Sequence, residues 1–247
     1  MNLTLQHKRA LVTGGSRGIG AAIVKRLARE GADIALTYVS KPDQAYETVK
    51  TAQAFGVKAL AIQADNTDAK AVVAAVERTV QELGGIDILV NNAGVMVTAS
   101  IDDYRLEDFD RMMAVNLRAV FVATQAAVKH MKTGGRIIMI GSCNAERMPF
   151  VGGSIYAMVK AALVGLVKGL ARDLGERGIT INNVQPGPTD TDLNPATGEF
   201  ADMLRKLMAL PRYGSVDEIA AFVTYLAGPE ASFVTGASLT IDGGFTA

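Results

Sequence analysis

The stretch RALVTGGSRGIGAAIVKRLAREGA, Arg9–Ala32, decides how the rest of the chain is read. Its first residues, Arg9–Thr13, form a short apolar run of the kind that builds a buried strand. TGGSRGIG follows at Thr13–Gly20, and the apolar residues of AAIVKRLAREGA then recur at helical spacing. Strand, glycine turn and helix in that order make a unit able to hold a phosphate. Gly14 permits the tight turn. Gly18 and Gly20 let the backbone approach a pyrophosphate and let the helix pack closely on a sheet. The helix N-terminus presents free N–H groups and the positive end of its dipole. Taken singly, the same residues also suit an ordinary strand-to-helix turn, so the rest of the chain has to support the reading.

Working outward, strands and helices alternate. Asp33–Val39 reads as a second strand, Gln44–Phe55 as a helix and Lys58–Gln63 as a third strand. Thr67–Leu83 is amphipathic, with Val72, Val73, Val76 and Val80 on one side. Asp87–Val90 is a fourth strand that ends in Asn91-Asn92-Ala93-Gly94. One helical stretch is expected over about 106–131, carrying Asn116. Arg136–Ile140 is a fifth strand, with Ser142 just past its carboxyl end. A helix with Tyr156 and Lys160 reaches to about Glu176, and Ile179–Val184 is a sixth strand. Asp217–Leu226 is helical, and Ser238–Ile241 is a seventh strand before Asp242-Gly243-Gly244. The alternation predicts an α/β architecture: a single-domain Rossmann fold spanning residues 1–247, a doubly wound seven-stranded parallel sheet with helices on both faces. Pro188–Phe200, rich in proline and small polar residues, reads as a mobile loop over a pocket.

Composition narrows the function classes. Lys and Arg total 25 and Asp and Glu total 25, with no block of like charge, which argues against a nucleic-acid or polybasic membrane partner. Cys143 is the sole cysteine, so no disulfide forms within the chain and a reducing compartment fits. MNLTLQHKRALVTGG lacks an apolar leader core, and no apolar run is read as approaching the ~18 residues a bilayer span takes. A cytoplasmic protein is expected. His7 and His130 are isolated, which disfavours zinc and a Ser-His-Asp hydrolase.

In a sheet of this kind, ligands bind beyond the carboxyl ends of the strands. The polar candidates collect there. Gly14–Gly20 follow strand one, Asp65 and Asn66 strand three, Asn92–Gly94 strand four, Ser142 strand five and Pro186–Thr191 strand six. In Ser142–Lys160, SCNAERMPFVGGSIYAMVK, the four-residue spacing of Tyr156 and Lys160 puts both on one helix face. A free tyrosine has a pKa of about 10, and a neighbouring ammonium favours its phenolate. So tuned, it could pass a proton to or from a carbonyl oxygen. Such pairs also occur by chance on solvated helices. Strand two ends Thr37-Tyr38-Val39-Ser40-Lys41 without the acid that would bind an adenosine 2′-hydroxyl; Asp33 lies at the strand's other end. Arg17, Thr37, Ser40 and Lys41 could instead hold a 2′-phosphate, which favours NADPH over NADH.

On these motifs the chain resembles the short-chain dehydrogenase/reductase superfamily: Thr13-Gly14-Gly15-Ser16-Arg17-Gly18-Ile19-Gly20, Asn91-Asn92-Ala93-Gly94, Asn116, Ser142, Tyr156-x-x-x-Lys160, Pro186-Gly187 and Asp242-Gly243-Gly244. The resemblance implies that Tyr156 donates the proton in carbonyl reduction and Ser142 orients the substrate oxygen. It implies that Lys160 binds the nicotinamide ribose and lowers the tyrosine pKa, and that Asn116 holds a water linking Lys160 to solvent. It places Asp65 and Asn66 by the adenine of NADP(H), Asn92, Ala93 and Gly94 on the ribose side, and Thr189 and Thr191 near the carboxamide, with Ser16, Ile19, Tyr38, Pro186 and Gly187 also among the cofactor-binding positions. Departures are a Ser142–Tyr156 gap one residue longer than in many members, Val159 before Lys160, and Pro188-Thr189 where bulkier apolar residues are common.

The implied activity is NADPH-dependent reduction of a ketone, aldehyde, quinone or 3-oxoacyl carbonyl. A 3-oxoacyl-[acyl-carrier-protein] substrate would need cations beside the entrance, for which Lys129, Lys132 and Arg172 are candidates. A second branch it resembles is the cyclic-di-GMP-binding oxidoreductases, through Gly141–Pro149, Gln185–Asp192 and Asn194-Pro195. A substrate pocket is expected from Val95, Met96, Asn144, Met148, Phe150, Val151 and Leu193, closed by the loop up to Met203. The resemblance also implies a homotetramer.

Overall fold

A computed structural model describes residues 3–247; Met1 and Asn2 of the expected domain lie outside the described residues. In chain order the first half runs β1 (Arg9–Val12), α1 (Gly18–Arg29), β2 (Asp33–Tyr38), α2 (Pro42–Gln53), β3 (Ala59–Gln63), α3 (Ala69–Leu83) and β4 (Ile88–Asn91). The second half runs α4 (Leu106–Met113), α5 (Ala119–Ala127), β5 (Arg136–Ile140), α6 (Ser154–Gly175), β6 (Thr180–Pro186), α7 (Glu199–Arg205), α8 (Val216–Ala227) and β7 (Ser238–Ile241). The seven strands form one sheet in the order β3-β2-β1-β4-β5-β6-β7, and every pairing is parallel.

The strands are apolar on both faces because each face has its own core. Ala10 and Val12 of β1 point into one cluster and Leu11 into the other; Ile138 and Ile140 of β5 separate from Ile137 and Met139 in the same way. The first cluster is completed by α1, α2 and α8, the second by α3, α5 and α6. Each fully buried Leu or Ile in them contributes about 1.5–3 kcal/mol relative to an exposed one. Helix ends are specified locally. Asp68 caps α3 through the Lys70 N–H, Gly84 closes it at φ +79°, and Ser215 and Glu218 form a reciprocal capping box on α8.

Three expectations need correcting. The helical stretch over 106–131 is not continuous: Ala114–Arg118 is a π-helical turn between α4 and α5, and α5 ends at Ala127. A single inserted turn of this kind leaves the hydrophobic period almost unchanged, so the pattern hides it. The expected loop 188–200 leads into a helix, α7. Finally, α6 is long and apolar enough to cross a membrane by length and composition, with a mean hydropathy of 1.5 over an 18-residue window. Only 22% of that window is buried, through an inner face that packs Leu163, Val167 and Leu174 into the second core.

Candidate active site

The glycine turn is wired from two directions. Gly14 (φ +62°) and Gly18 (φ +53°) adopt left-handed backbone that other residues enter at a cost. A Cβ on Gly20 would lie 2.3 Å from the Gly14 carbonyl oxygen, so helix and turn can approach only with glycine there. The Gly14 N–H donates to Thr37 Oγ1 (2.9 Å), which ties the turn to the end of β2. Asn92 Nδ2 donates to the carbonyls of Thr13 and Gly14 (both 3.0 Å), while the Asn92 and Ala93 N–H groups donate to Thr13 Oγ1 (3.0 and 3.1 Å). Thr37 and Asn92, expected to touch the cofactor, therefore also hold the turn in shape. Thr13, which carried no expected role, is the hub of this network.

A cavity of about 740 Å³ opens from this turn across the carboxyl edge of the sheet to Ser142 and Tyr156. Its wall contains every residue expected at the catalytic and cofactor positions. Arg17, Ser40 and Lys41, all exposed, stand at the β2 end. Asp65 closes the turn after β3 by accepting from the Thr67 N–H (2.8 Å), and Thr191 lies against Gly18.

At the other end, α6 begins two residues before Tyr156 and turns Tyr156 and Lys160 to the same side. Burial raises the phenol pKa to about 12, partly countered by the neighbouring Ser142 hydroxyl. Burial lowers the Lys160 ammonium to about 8. Lys160 Nζ donates to the Ile140 carbonyl (2.9 Å) and stands 5.6 Å from the centroid of the Tyr156 ring. Burial is thus the dominant influence on the phenol in this arrangement, and the Lys160 ammonium is engaged by the Ile140 carbonyl. Ser142 Oγ donates to Asn144 Oδ1 and accepts from the Asn144 N–H (both 3.1 Å). Cys143 beside it is buried, and that burial pushes its thiol up to about 12.

Asn116 sits in the π turn, where its Nδ2 donates to the Met112 carbonyl (3.1 Å) and to that of Val95 (3.0 Å). Asn116 Oδ1 accepts from the Val95 N–H (3.3 Å). A Cβ on Gly94 would meet this oxygen at 3.0 Å and Lys160 Nζ at 3.6 Å. Glycine at 94 therefore leaves a gap into which Asn116 and Lys160 both face. That gap and the left-handed glycine turn suit a dinucleotide: a phosphate cradle at one end and donors for ribose hydroxyls at the other.

On the substrate side, Val95, Met96, Asn144, Phe150 and Leu193 are on the wall, whereas Met148 and Val151 are off it. The Met148 sulfur packs beneath the turn, where a Cβ on Gly153 would meet it at 2.3 Å, and Val151 is 89% exposed. Met203 is also off the wall; Phe200 and Leu204, one helical turn apart in α7, line it instead. Phe245 lines it too, from beyond the last strand. Its only signal in the sequence was the Asp242-Gly243-Gly244 turn that precedes it. Lys129, Lys132 and Arg172 lie at the wrong end within one chain. The first two sit in the connection entering the amino end of β5, and Arg172 lies roughly 24 Å along the helix axis from Tyr156 at 1.5 Å per residue.

A family model described as Enoyl-(Acyl carrier protein) reductase matches residues 14–246. The cyclic-di-GMP-binding biofilm dispersal mediator protein of Escherichia coli K12 is 49% identical over 240 residues, covering 97% of this chain and 98% of that protein. A short-chain dehydrogenase/reductase from Serratia marcescens BCRC 10948 superposes with a TM-score of 0.98 at 60% identity, over 99% of this chain and 100% of the other. The chain belongs to the short-chain dehydrogenase/reductase family. A further member, from Burkholderia cenocepacia J2315 and solved in complex with NADP, is 55% identical with a TM-score of 0.98, over 99% of this chain and 100% of that one. The family's oxidoreductase chemistry fits the two ends of the cavity, one built for a dinucleotide and the other carrying an acid, a hydroxyl and an ammonium.

Proposed function

We propose that the chain is an NADPH-dependent reductase of ketones or aldehydes. The observation that carries this reading is the single cavity joining the glycine turn to Ser142, Tyr156, Lys160 and Asn116. When bound, the nicotinamide supplies the hydride. Tyr156 donates its proton to the carbonyl oxygen, and Ser142 Oγ orients that oxygen. The phenolate left behind is disfavoured by burial, and Lys160, 5.6 Å from the ring centroid, is the cation placed to stabilise it. Lys160 and Asn116, facing each other across Gly94, offer the route by which Tyr156 is reprotonated. Arg17, Ser40 and Lys41 bind the 2′-phosphate and select NADPH, a reading supported by the NADP complex of the Burkholderia relative. We further propose a homotetramer in the cytoplasm. The exposed side of α5 and α6, with Phe121 and Met158 at 45% and 42% exposure, is the face available for assembly.

The 49%-identical E. coli relative, named for cyclic-di-GMP binding, favours a second reading in which the fold serves as a regulatory receptor. One experiment separates the two. NADPH oxidation is followed with a panel of ketones and aldehydes for wild type and Tyr156→Phe, and cyclic-di-GMP binding is titrated on both. Turnover that falls about 10²–10⁴-fold in Tyr156→Phe supports the reductase. Micromolar cyclic-di-GMP binding with no turnover on any carbonyl sinks it in favour of the receptor.

A further inference from the structure

The chain does not leave the sheet after β7. Asp242 accepts from the N–H groups of Gly244 and Thr246 (both 2.9 Å) and from Thr246 Oγ1 (2.7 Å). Gly243 and Gly244 take φ values of +64° and +79°, and the Gly243 carbonyl accepts from the Leu210 N–H (2.8 Å). This turn folds the last residues back beneath the cavity. Phe245 arrives there 1% exposed, packed in a small cluster with Cys143, Leu204, Met208 and Tyr213. Cys143 adjoins Ser142, so the cluster reaches the catalytic end of the cavity.

A second element meets Phe245. Arg147 belongs to the insert between Ser142 and Tyr156, 98 positions before Phe245. Its Nη1 donates to the Phe245 carbonyl (2.6 Å), and its Cζ stands 5.5 Å from the centroid of the Phe245 ring. One guanidinium therefore holds both the backbone and the ring of this residue, a fork that a lysine reproduces only in part.

We propose that Phe245 sets the size of the carbonyl substituent accepted beside Ser142, and that Arg147 is its positioning residue. The inference rests on the reductase reading. Phe200 and Leu204 continue the wall from Phe245, and Phe150 meets Phe200 edge-on with centroids 5.5 Å apart. An apolar wall of this kind suits an uncharged ketone with an apolar substituent beside Ser142. The Arg147 guanidinium is already committed to the Phe245 carbonyl.

The test uses wild type, Phe245→Leu, Arg147→Met and Arg147→Lys with a small methyl ketone and a bulky aryl ketone. In Phe245→Leu the bulky-to-small ratio of kcat/KM rises about 10-fold or more, the scale that small changes of pocket volume command. Arg147→Met shifts the ratio the same way, Arg147→Lys shifts it less, and the change falls mainly on KM. NADPH affinity stays unchanged. A purely structural role would lower the thermal midpoint and every kcat together and leave the ratio where it was. An unchanged ratio in both Phe245→Leu and Arg147→Met overturns the inference. Wild type that oxidises no NADPH with any ketone overturns the reductase reading alone. The size ranking is then read from ketone affinities for the NADPH complex by quenching of nicotinamide fluorescence, and an unchanged ranking overturns this inference. No ketone bound by any variant overturns both.

Discussion

Tyr156 and Lys160 show what a residue pattern conveys and what it leaves out. Their spacing reveals that they share a helix face; their proton affinities depend on burial, which spacing does not report. The structure places Lys160 in a wall that lowers its ammonium from 10.5 to about 8. The unfolded chain keeps the higher value, so between pH 8 and 10.5 it binds more protons than the folded one, and stability rises with pH across that window. Below pH 8 the folded protein carries the whole cost of the buried charge, at most about 3 kcal/mol for a shift of this size. Tyr156 acts in the opposite direction. Its phenol is raised from 10.0 to about 12, so the folded state holds the extra proton and stability falls as pH rises from 10 to 12. Lys160→Met should therefore lose the upward slope between pH 8 and 10, while NADPH oxidation collapses. Urea midpoints measured without added NADPH check this. Parallel pH profiles for the two proteins would show that the ammonium is not held in the buried setting described.

At the scale of elements, a helix is specified by one face and exposes another. The outward face of α6 carries Gly165 and Gly169, and a Cβ on either would meet nothing within 4 Å in the chain itself. In an isolated chain, alanine at these positions would stabilise the helix by about 0.5–1 kcal/mol each. The tetramer proposal reverses the sign, because the added methyls would intrude where a second copy packs closely. Gly165→Ala/Gly169→Ala is expected to elute as a smaller species with a lower thermal midpoint, by sizing with light scattering and a melting curve. A higher midpoint with unchanged size would remove α6 from the interface. The same scale explains which elements were legible. All seven strands could be read because a parallel strand covered on both faces is a short apolar run between turn residues. The π turn could not, since Asn116 at its centre looks like any polar helix residue until its bonds to the Met112 and Val95 carbonyls are seen. Nor could α7, whose Glu199–Arg205 follows a proline- and glycine-rich run and whose role comes from Phe200 and Leu204 facing the cavity. Phe245 was hidden for another reason: its position depends on a contact with Arg147 across most of the chain, and no local pattern encodes that.

The molecule as a whole is organised about the point where strand order reverses, between β1 and β4. Crossovers leave to opposite sides there, which opens the crevice that the cavity occupies. Its wall draws on the ends of β1 to β6 and on the tail after β7, so a dinucleotide bound there would hold both layers of the fold together. Binding should therefore appear in global stability, and the difference between two cofactors should appear as a difference in melting. A ligand at 100 times its Kd adds about 2.7 kcal/mol. For a domain of this size each kcal/mol moves the midpoint by about 2–4 °C, so saturating NADPH should raise it by roughly 5–10 °C. NADH at the same concentration should raise it less, because Arg17, Ser40 and Lys41 meet a hydroxyl in place of a phosphate. Arg17 is exposed and contributes its backbone, not its side chain, to the start of α1. Arg17→Ala should consequently leave the midpoint without cofactor unchanged, lower the NADPH shift towards that of NADH, and leave the NADH shift alone. Equal shifts by the two cofactors in wild type would mean that the basic end of β2 does not read the 2′-phosphate. A fall in both shifts in Arg17→Ala would instead assign the guanidinium to the pyrophosphate, which the two cofactors share.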